Sequence, residues 1–133
     1  MEELIVKVIC PTEVCYEGKA TMVEFTTTMG NVGIYARHIP MISVIAPGVL
    51  RIHEAKGEIV EFALHSGFAE ILEDQVTIMA EACERPGEID LERARAARQR
   101  AEARISSHDA NVDVARAELA LRRALVRINL GGK

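Results

Sequence analysis

Residues 89–130 decide the architecture of the C-terminal third of the chain, and they run IDLERARAARQRAEARISSHDANVDVARAELALRRALVRINL. This stretch holds nine of the twelve arginines and ten alanines, with neither glycine nor proline. Alanine and arginine are strong helix formers. Residues 106–109, Ser-Ser-His-Asp, interrupt the pattern because such side chains compete for backbone hydrogen bonds and cap helices. The sequence therefore predicts two helices, at about 90–106 and 111–130, that form an antiparallel hairpin.

The apolar faces of these predicted helices are thin. They comprise Leu91, Ala94, Ala101 and Ile105 on the first helix, and Val114, Ala117, Leu121, Ala124, Leu125 and Ile128 on the second. Alanine offers a single methyl group, and each buried methylene is worth only about 0.8 kcal/mol. Two interpretations stay open: a hairpin that can detach or open, and a hairpin that is permanently docked.

Residues 1–82 alternate short apolar runs with turn residues. The runs are 4–9, 20–27, 32–34, 41–45, 49–53, 58–65, 68–72 and 75–80. Ala46-Pro47-Gly48 has the composition of a tight turn. Short strands at this spacing predict an all-β sandwich or barrel. Pro86-Gly87 then breaks the chain, so we expect a β-domain at 1–84 and a helical hairpin domain at 85–133.

Charge is divided unevenly along the chain. Residues 1–88 carry 14 acids and 6 bases, whereas residues 89–133 carry 6 acids and 10 bases. The basic tail favours an anionic partner: a nucleotide, an acidic protein surface or the chain's own acidic body. A merely solvated helix face is the plain alternative. Nucleic acid is disfavoured because the body is acidic and the chain has no tryptophan.

Catalytic and metal motifs are weak. The four histidines lack metal-ligand spacing, and His65 and Ser66 should point to opposite faces of a strand. Cys10, Cys15 and Cys83 lack zinc spacing, which predicts reduced thiols. The acidic start is unlike a signal peptide, and no apolar run approaches the roughly 20 residues that span a bilayer. We expect neither an enzyme nor a membrane-inserted protein.

The arginines are spaced for binding an anion. Arg93 and Arg100 share one face of the first helix, and Arg123 and Arg127 share one face of the second. A turn near residue 108 would place Arg93 level with Arg123. Arginine forks fit phosphate oxygens, so the spacing predicts a cationic cleft at the open end of the hairpin. Asp90 stands where the N-cap of the first helix is expected.

Motifs distributed over the whole chain resemble the epsilon-subunit family of bacterial F-type ATP synthases. They are Gly33-Ile34-Tyr35, His38, Pro40, Ala46-Pro47-Gly48-Val49-Leu50-Arg51-Ile52, Gly67-Phe68, Glu70, Val76-Thr77-Ile78, Ala117-Glu118-Leu119-Ala120-Leu121 and Arg123-Ala124. Two positions depart from the family pattern, which usually has proline at Ala36 and a second glycine at Ser66.

The resemblance implies a sandwich of about ten strands followed by a helical hairpin. It implies a non-catalytic rotor subunit of the central stalk, peripheral to the cytoplasmic face of the bacterial membrane. Such a subunit binds the gamma subunit and the c-subunit ring and couples proton flow to ATP synthesis. Its extended hairpin reaches the alpha and beta subunits and blocks ATP hydrolysis. By the same resemblance Asn31 faces the ring and His38 lies near gamma.

The resemblance also implies ATP as a regulatory ligand. The family motif Ile/Leu-Asp-x-x-Arg-Ala is matched by residues 89–94. The implied ATP-binding set is Glu84, Ile89, Asp90, Arg93, Ala94, Arg100, Arg123 and Arg127. Of these, residues 89, 90, 93 and 94 are assigned to the nucleoside and the last three arginines to the phosphates. Whether Mg²⁺ accompanies the ATP stays open, as does a purely structural coupling subunit without nucleotide sensing.

Overall fold

The computed structural model describes residues 2–132, which form a β-sandwich followed by a helical hairpin. The strands are β1 (Leu4–Cys10), β2 (Glu13–Thr27), β3 (Gly30–Tyr35), β4 (Met41–Ile45), β5 (Gly48–Glu54), β6 (Ile59–Ile71) and β7 (Gln75–Glu84). A 3₁₀ turn at Pro86–Glu88 leads into the helices α1 (Leu91–Ser106) and α2 (Val114–Gly131). The expected fold class is confirmed.

The strand pairings close the sandwich around one core. Strand β1 pairs antiparallel with β2 and parallel with β7. Strand β2 also pairs with β3 and β5, and β6 pairs with β4, β5 and β7. The ring β1–β2–β5–β6–β7 therefore returns to β1, which leaves few open edges.

The expected number of strands, about ten, is too high. Residues 2–132 contain seven, because β2 and β6 are long strands of 15 and 13 residues that each serve several neighbours. Strand β6 bends without ending at Ser66 and Gly67, whose φ angles are 43° and 142°. A Cβ on Gly67 would lie 2.1 Å from the carbonyl oxygen of Met79, so this bend requires glycine. The sequence pattern predicted separate strands at 58–65 and 68–72, which together correspond to β6.

The core consists of inward-facing residues from every strand. In β1, Leu4, Val6 and Val8 are buried, whereas Ile5 between them is 44% exposed. This alternation is the period-two pattern of a strand with one face on the core. Phe25 and Phe62 are the largest of the fully buried side chains.

An aspartate is the N-cap of each helix. The Asp90 Oδ1 accepts a hydrogen bond from the Arg93 backbone N–H at 3.1 Å, so the predicted cap of α1 is confirmed. The second helix begins at Val114 and not at 111, because Asp113 is its cap and accepts from the N–H of Arg116. Within residues 2–132 no helix is both long enough and apolar enough to cross a bilayer.

The hairpin is docked on the sandwich through α2, which contacts β5, β6 and the 3₁₀ turn. The seam between the helices is built from small residues: Ala94, Ala101, Ala117 and Ala124 are buried. Leu130, near the end of α2, is 1% exposed. Among residues 2–132 one ion pair joins the helices to the sandwich, from Arg127 Nε to Glu84 Oε1 at 2.6 Å.

Candidate functional site

The register of the hairpin determines which arginines meet. A Cβ added to Gly131 would lie 3.0 Å from Cγ2 of Ile89, so these two residues are level with each other. One helical turn inward from each lie Arg93 and Arg127. The expected pairing of Arg93 with Arg123 is therefore shifted by about one turn. The cause is the longer connection, since residues 107–113 lie between the helices and the turn is centred near 110.

A cavity of about 360 Å³ lies at the open end of the hairpin, next to the last residue of β7. Its lining residues are Glu84, Glu88, Asp90, Arg93, Ala94, Ala97, Arg100 and Arg127. Six of the eight residues assigned to ATP from the sequence line this one cavity. The volume is at the lower end of the range of about 300–1,000 Å³ for small-molecule pockets.

The carboxylates around this cavity are already engaged with protein groups. Asp90 caps α1, and Glu88 Oε1 accepts from the Arg85 backbone N–H at 3.1 Å. Glu84 accepts from Arg127. In contrast, the guanidinium groups of Arg93 and Arg100 form no ion pair with any residue in 2–132. The lining thus combines three carboxylates with three guanidinium groups, of which Arg93 and Arg100 are free to bind an anion with several oxygens.

Two residues of the expected set lie outside this lining. Ile89 is half-buried and packs toward Gly131 at the end of α2. Arg123 lines a second cavity of about 550 Å³ near the interhelical turn, together with Arg104 and Arg116. An anion in the first cavity would meet Arg123 only if that long side chain turned toward the open end of the hairpin.

His65 lies directly behind the cavity and was not recognised as part of it from the sequence. The residue is 2% exposed, and its Nε2 is 3.2 Å from Glu84 Oε1. Burial lowers the pKa of His65, the charge of Arg127 lowers it further, Glu84 opposes this, and Arg123 adds a smaller lowering effect. The ring is therefore neutral near pH 7 and donates from Nε2 to Glu84. Its buried Nδ1 has no hydrogen-bond partner within residues 2–132.

The expected partner-contact residues lie at opposite ends of β3. Asn31 is at the start of the strand, where its Oδ1 accepts from Thr26 Oγ1 at 2.7 Å. His38 follows the end of the strand, with Nδ1 2.7 Å from the Ile39 carbonyl oxygen. A six-residue strand spans roughly 20 Å. Asn31 and His38 are therefore well separated, and their assignment to two different partners stays a prediction.

A row of exposed apolar side chains crosses three neighbouring strands of the sandwich. Phe68 on β6 is paired with Val44 on β4 and with Met79 on β7. These three side chains are 52%, 47% and 44% exposed, respectively. Ile42, two residues from Val44 on the same face of β4, is 71% exposed. An apolar row of this kind is typical of a protein–protein interface, and the sequence pattern of alternating residues did not single it out.

Nearly the whole chain matches the models of two domains that belong to one protein family. Residues 3–86 match the beta-sandwich domain of the ATP synthase delta/epsilon chain, and residues 88–131 match its long alpha-helix domain. The protein therefore belongs to the delta/epsilon chain family of ATP synthase.

Curated relatives narrow this assignment to epsilon chains. The ATP synthase epsilon chain of Halalkalibacterium halodurans is 44% identical, and the match covers 100% of both chains. The ATP synthase epsilon chain of Shouchella clausii is 48% identical over 98% of this chain and 96% of the relative. Both levels of identity, over essentially full length, place the chain among the epsilon chains.

Solved structures share the fold at lower identity. A chain of the Euglena gracilis mitochondrial ATP synthase, in an OSCP/F1/c-ring assembly, superposes with a TM-score of 0.84 and 22% identity. The match covers 98% of this protein and 82% of that chain. A chain of the Tetrahymena thermophila central stalk and c-ring gives a TM-score of 0.56 at 15% identity, covering 97% and 93%. These matches support the fold.

Proposed function

We propose that the protein is a non-catalytic rotor subunit whose helical hairpin binds ATP and thereby regulates ATP hydrolysis. Its partners are the gamma subunit and the c-subunit ring, at the cytoplasmic face of the bacterial membrane. The names of the full-length relatives and the assemblies that contain similar folds support this role. The exposed row around Phe68 and the separate positions of Asn31 and His38 are suitable protein contacts.

The observation that carries ATP binding is the cavity at the open end of the hairpin. It brings Arg93, Arg100 and Arg127 to one space, and the first two have no acidic partner among residues 2–132. ATP brings phosphate oxygens that match these guanidinium forks. Asp90 and the buried methyl of Ala94 lie on the same lining and suit the nucleoside. Because Arg127 of α2 pairs with Glu84 of β7 and both line the cavity, a ligand there would lie where the helices meet the sandwich.

Ligand binding at this place would favour the docked hairpin. At 100 times its dissociation constant, a ligand specific to one state stabilises that state by about 2.7 kcal/mol. That amount matters for a hairpin whose internal seam consists of alanines. When ATP falls, the helices would leave the sandwich, extend along gamma and present their arginines to acidic surfaces of the alpha and beta subunits. Extension in this way would block hydrolysis.

A second candidate function is a structural coupling subunit without nucleotide sensing. The side chain of Leu130, near the end of α2, is only 1% exposed to solvent. The ion pair between Arg127 and Glu84 joins α2 to the sandwich. Loss of a fully buried leucine side chain costs about 2–5 kcal/mol, which is comparable with the ligand term above. These contacts favour a hairpin that is docked whether or not ATP is present.

Calorimetric titration of the full chain with ATP separates the two functions. We expect saturable binding at one site, and Arg93→Ala should weaken it at least tenfold because it removes a guanidinium group of the lining that has no ion pair among residues 2–132. Arg95→Ala is the matched control: Arg95 is also exposed on α1 but does not line the cavity, so its removal should leave affinity unchanged. No binding at millimolar ATP would support the structural function instead, and equal loss in both variants would place the bound ATP outside this cavity.

A further inference from the structure

The three cysteines, which are far apart in sequence, form one cluster in the structure. The Sγ atoms of Cys10, Cys15 and Cys83 all lie within 4.8 Å of one another. They come from three strands, β1, β2 and β7, and each residue is half-buried. None of the three is in a disulfide. The sequence spacing of the cysteines is not that of a zinc motif, so the sequence did not predict that the fold brings the three thiols together.

A β-bulge makes this convergence possible. Val8 pairs with Tyr16 and Ile9 pairs with Val14, so Cys15 is an extra residue in β2 without a partner on β1. In a regular strand Cys15 would face away from Tyr16. Here both pack against the core, as does Cys83, because a bulge re-aims the side chains of its strand.

We propose that Cys10, Cys15 and Cys83 form a binding site for one thiophilic divalent cation of the zinc class. Thiolates are soft ligands that select such ions over Mg²⁺ and Ca²⁺. Zn–S bonds of about 2.3 Å place the sulfurs of one site about 3.8–4.0 Å apart. Sulfurs already within 4.8 Å reach that separation by side-chain rotation and small shifts of less than about 1 Å.

The site has three protein ligands and room for one more. Zinc is usually four-coordinate, so a water molecule would complete the tetrahedron. Among residues 2–132, no histidine, aspartate or glutamate belongs to this cluster of three cysteines. Burial raises the pKa of the Cys10 thiol to about 12, with a smaller contribution from Glu13, so a bound cation must displace thiol protons while gaining the nearby negative charge of Glu13.

Metal binding here would fasten the sandwich at the point where its strands converge. Cys10 and Cys15 flank the β1–β2 turn, and Cys83 belongs to β7, which pairs in parallel with β1. A cation on all three would cross-link β1, β2 and β7. Because it binds the folded chain preferentially, it should raise the thermal unfolding midpoint of the sandwich by several degrees.

Titration of the reduced, full-length chain with Zn²⁺, and separately with Cd²⁺, tests this site. We expect one ion per chain, release of protons on binding, and a new ultraviolet thiolate-to-cadmium absorption band. Cys15→Ser should reduce affinity at least tenfold, whereas His108→Gln, which changes an exposed histidine in the interhelical turn, should not. Affinity that is retained in Cys15→Ser, or lost equally in His108→Gln, would overturn the proposal.

A measurement on the unmodified chain covers the case in which a cysteine variant fails to fold. Alkylation of the native protein should label three thiols without zinc and markedly more slowly with stoichiometric zinc. Equal rates with and without zinc would contradict the site. A thiol count of one in the chain purified without reductant would also contradict it, because two of the cysteines would then form a disulfide.

Discussion

At the residue scale, the most informative group is the contact of His65, Glu84 and Arg127. Glu84 Oε1 lies 3.2 Å from His65 Nε2 and 2.6 Å from Arg127 Nε, so one carboxylate oxygen joins a buried strand residue to the helix α2. Burial and the charge of Arg127 lower the pKa of His65 and favour the neutral ring in this arrangement, although Glu84 opposes them. Sequence reasoning identified Glu84 and Arg127 but missed His65, since a single histidine in an apolar strand carries no spacing signal.

His65 predicts a pH dependence of stability. Its pKa in the folded chain is below the ordinary value of 6.5. The stability of the folded chain therefore receives the full contribution of neutral His65 above about pH 6.5. This contribution is lost as pH falls below that value, because the unfolded chain then binds a proton that the folded chain does not. The loss amounts to at most about 1.4 kcal/mol per pH unit.

Denaturant unfolding at pH 7.5 and 5.5 measures this effect. We expect His65→Gln, which retains a donor toward Glu84 but does not titrate, to lose less stability on acidification than the parent. His108→Gln, at an exposed histidine in the interhelical turn, should behave like the parent. If His65→Gln shows the parent's full pH dependence, the titration comes from other groups.

At the element scale, the helices were predictable and their register was not. Alanine and arginine content predicted both helices, and Asp90 predicted the start of α1. The length of the connection between the helices determines their register. Because Asp113 caps α2 and the helix begins at Val114, Arg93 lies level with Arg127 and not with Arg123. Hydrogen bonds of Ser107 and Asp109 within the turn keep those residues out of either helix, and helix propensity alone does not measure such competition.

The docking of α2 predicts that the hairpin can be loosened without unfolding the sandwich. Leu130→Ala removes a side chain that is 1% exposed and should destabilise the packing of the end of α2 by about 2–5 kcal/mol. Leu119→Ala, at a position that is 37% exposed, is the matched control and should have a much smaller effect. Limited trypsin digestion reports opening, since the helices are rich in arginine.

We expect Leu130→Ala to be cut faster within α1 and α2 while a sandwich fragment survives. Digestion of Leu130→Ala at the rate of Leu119→Ala would mean that Leu130 does not hold the hairpin. Loss of the sandwich fragment at the same rate as the helices would mean that the two parts unfold together.

At the scale of the whole molecule, charge and apolar surface are segregated. The division into an acidic body and a basic tail is visible in the sequence, but one ion pair among residues 2–132 joins them. Most hairpin arginines thus remain available to other anions. The apolar row of Val44, Phe68 and Met79 could not be predicted, because it depends on how three strands align and not on any one of them.

The apolar row predicts a surface for assembly with the rotor. Phe68→Asp should weaken binding of the chain to a gamma–c-ring complex by at least tenfold, because it places a charge in the centre of the row. Ile59→Asp is the matched control, since Ile59 lies on the same strand with 54% exposure but outside the row. A co-sedimentation or surface-binding assay measures both variants. Equal weakening by the two substitutions would argue for a general effect on the fold.

The most direct test of an ATP-held hairpin is hydrogen exchange of the full chain with and without saturating ATP. We expect slower exchange of the amides of α1 and α2 when ATP is present, and unchanged exchange in the interior of β1, which packs less against α2 than β5 and β6 do in the described residues. Arg93→Ala should abolish the difference, whereas Arg95→Ala should keep it. Identical exchange of both helices with and without ATP in the parent chain would contradict an ATP-held hairpin and leave a coupling subunit whose hairpin does not sense the nucleotide.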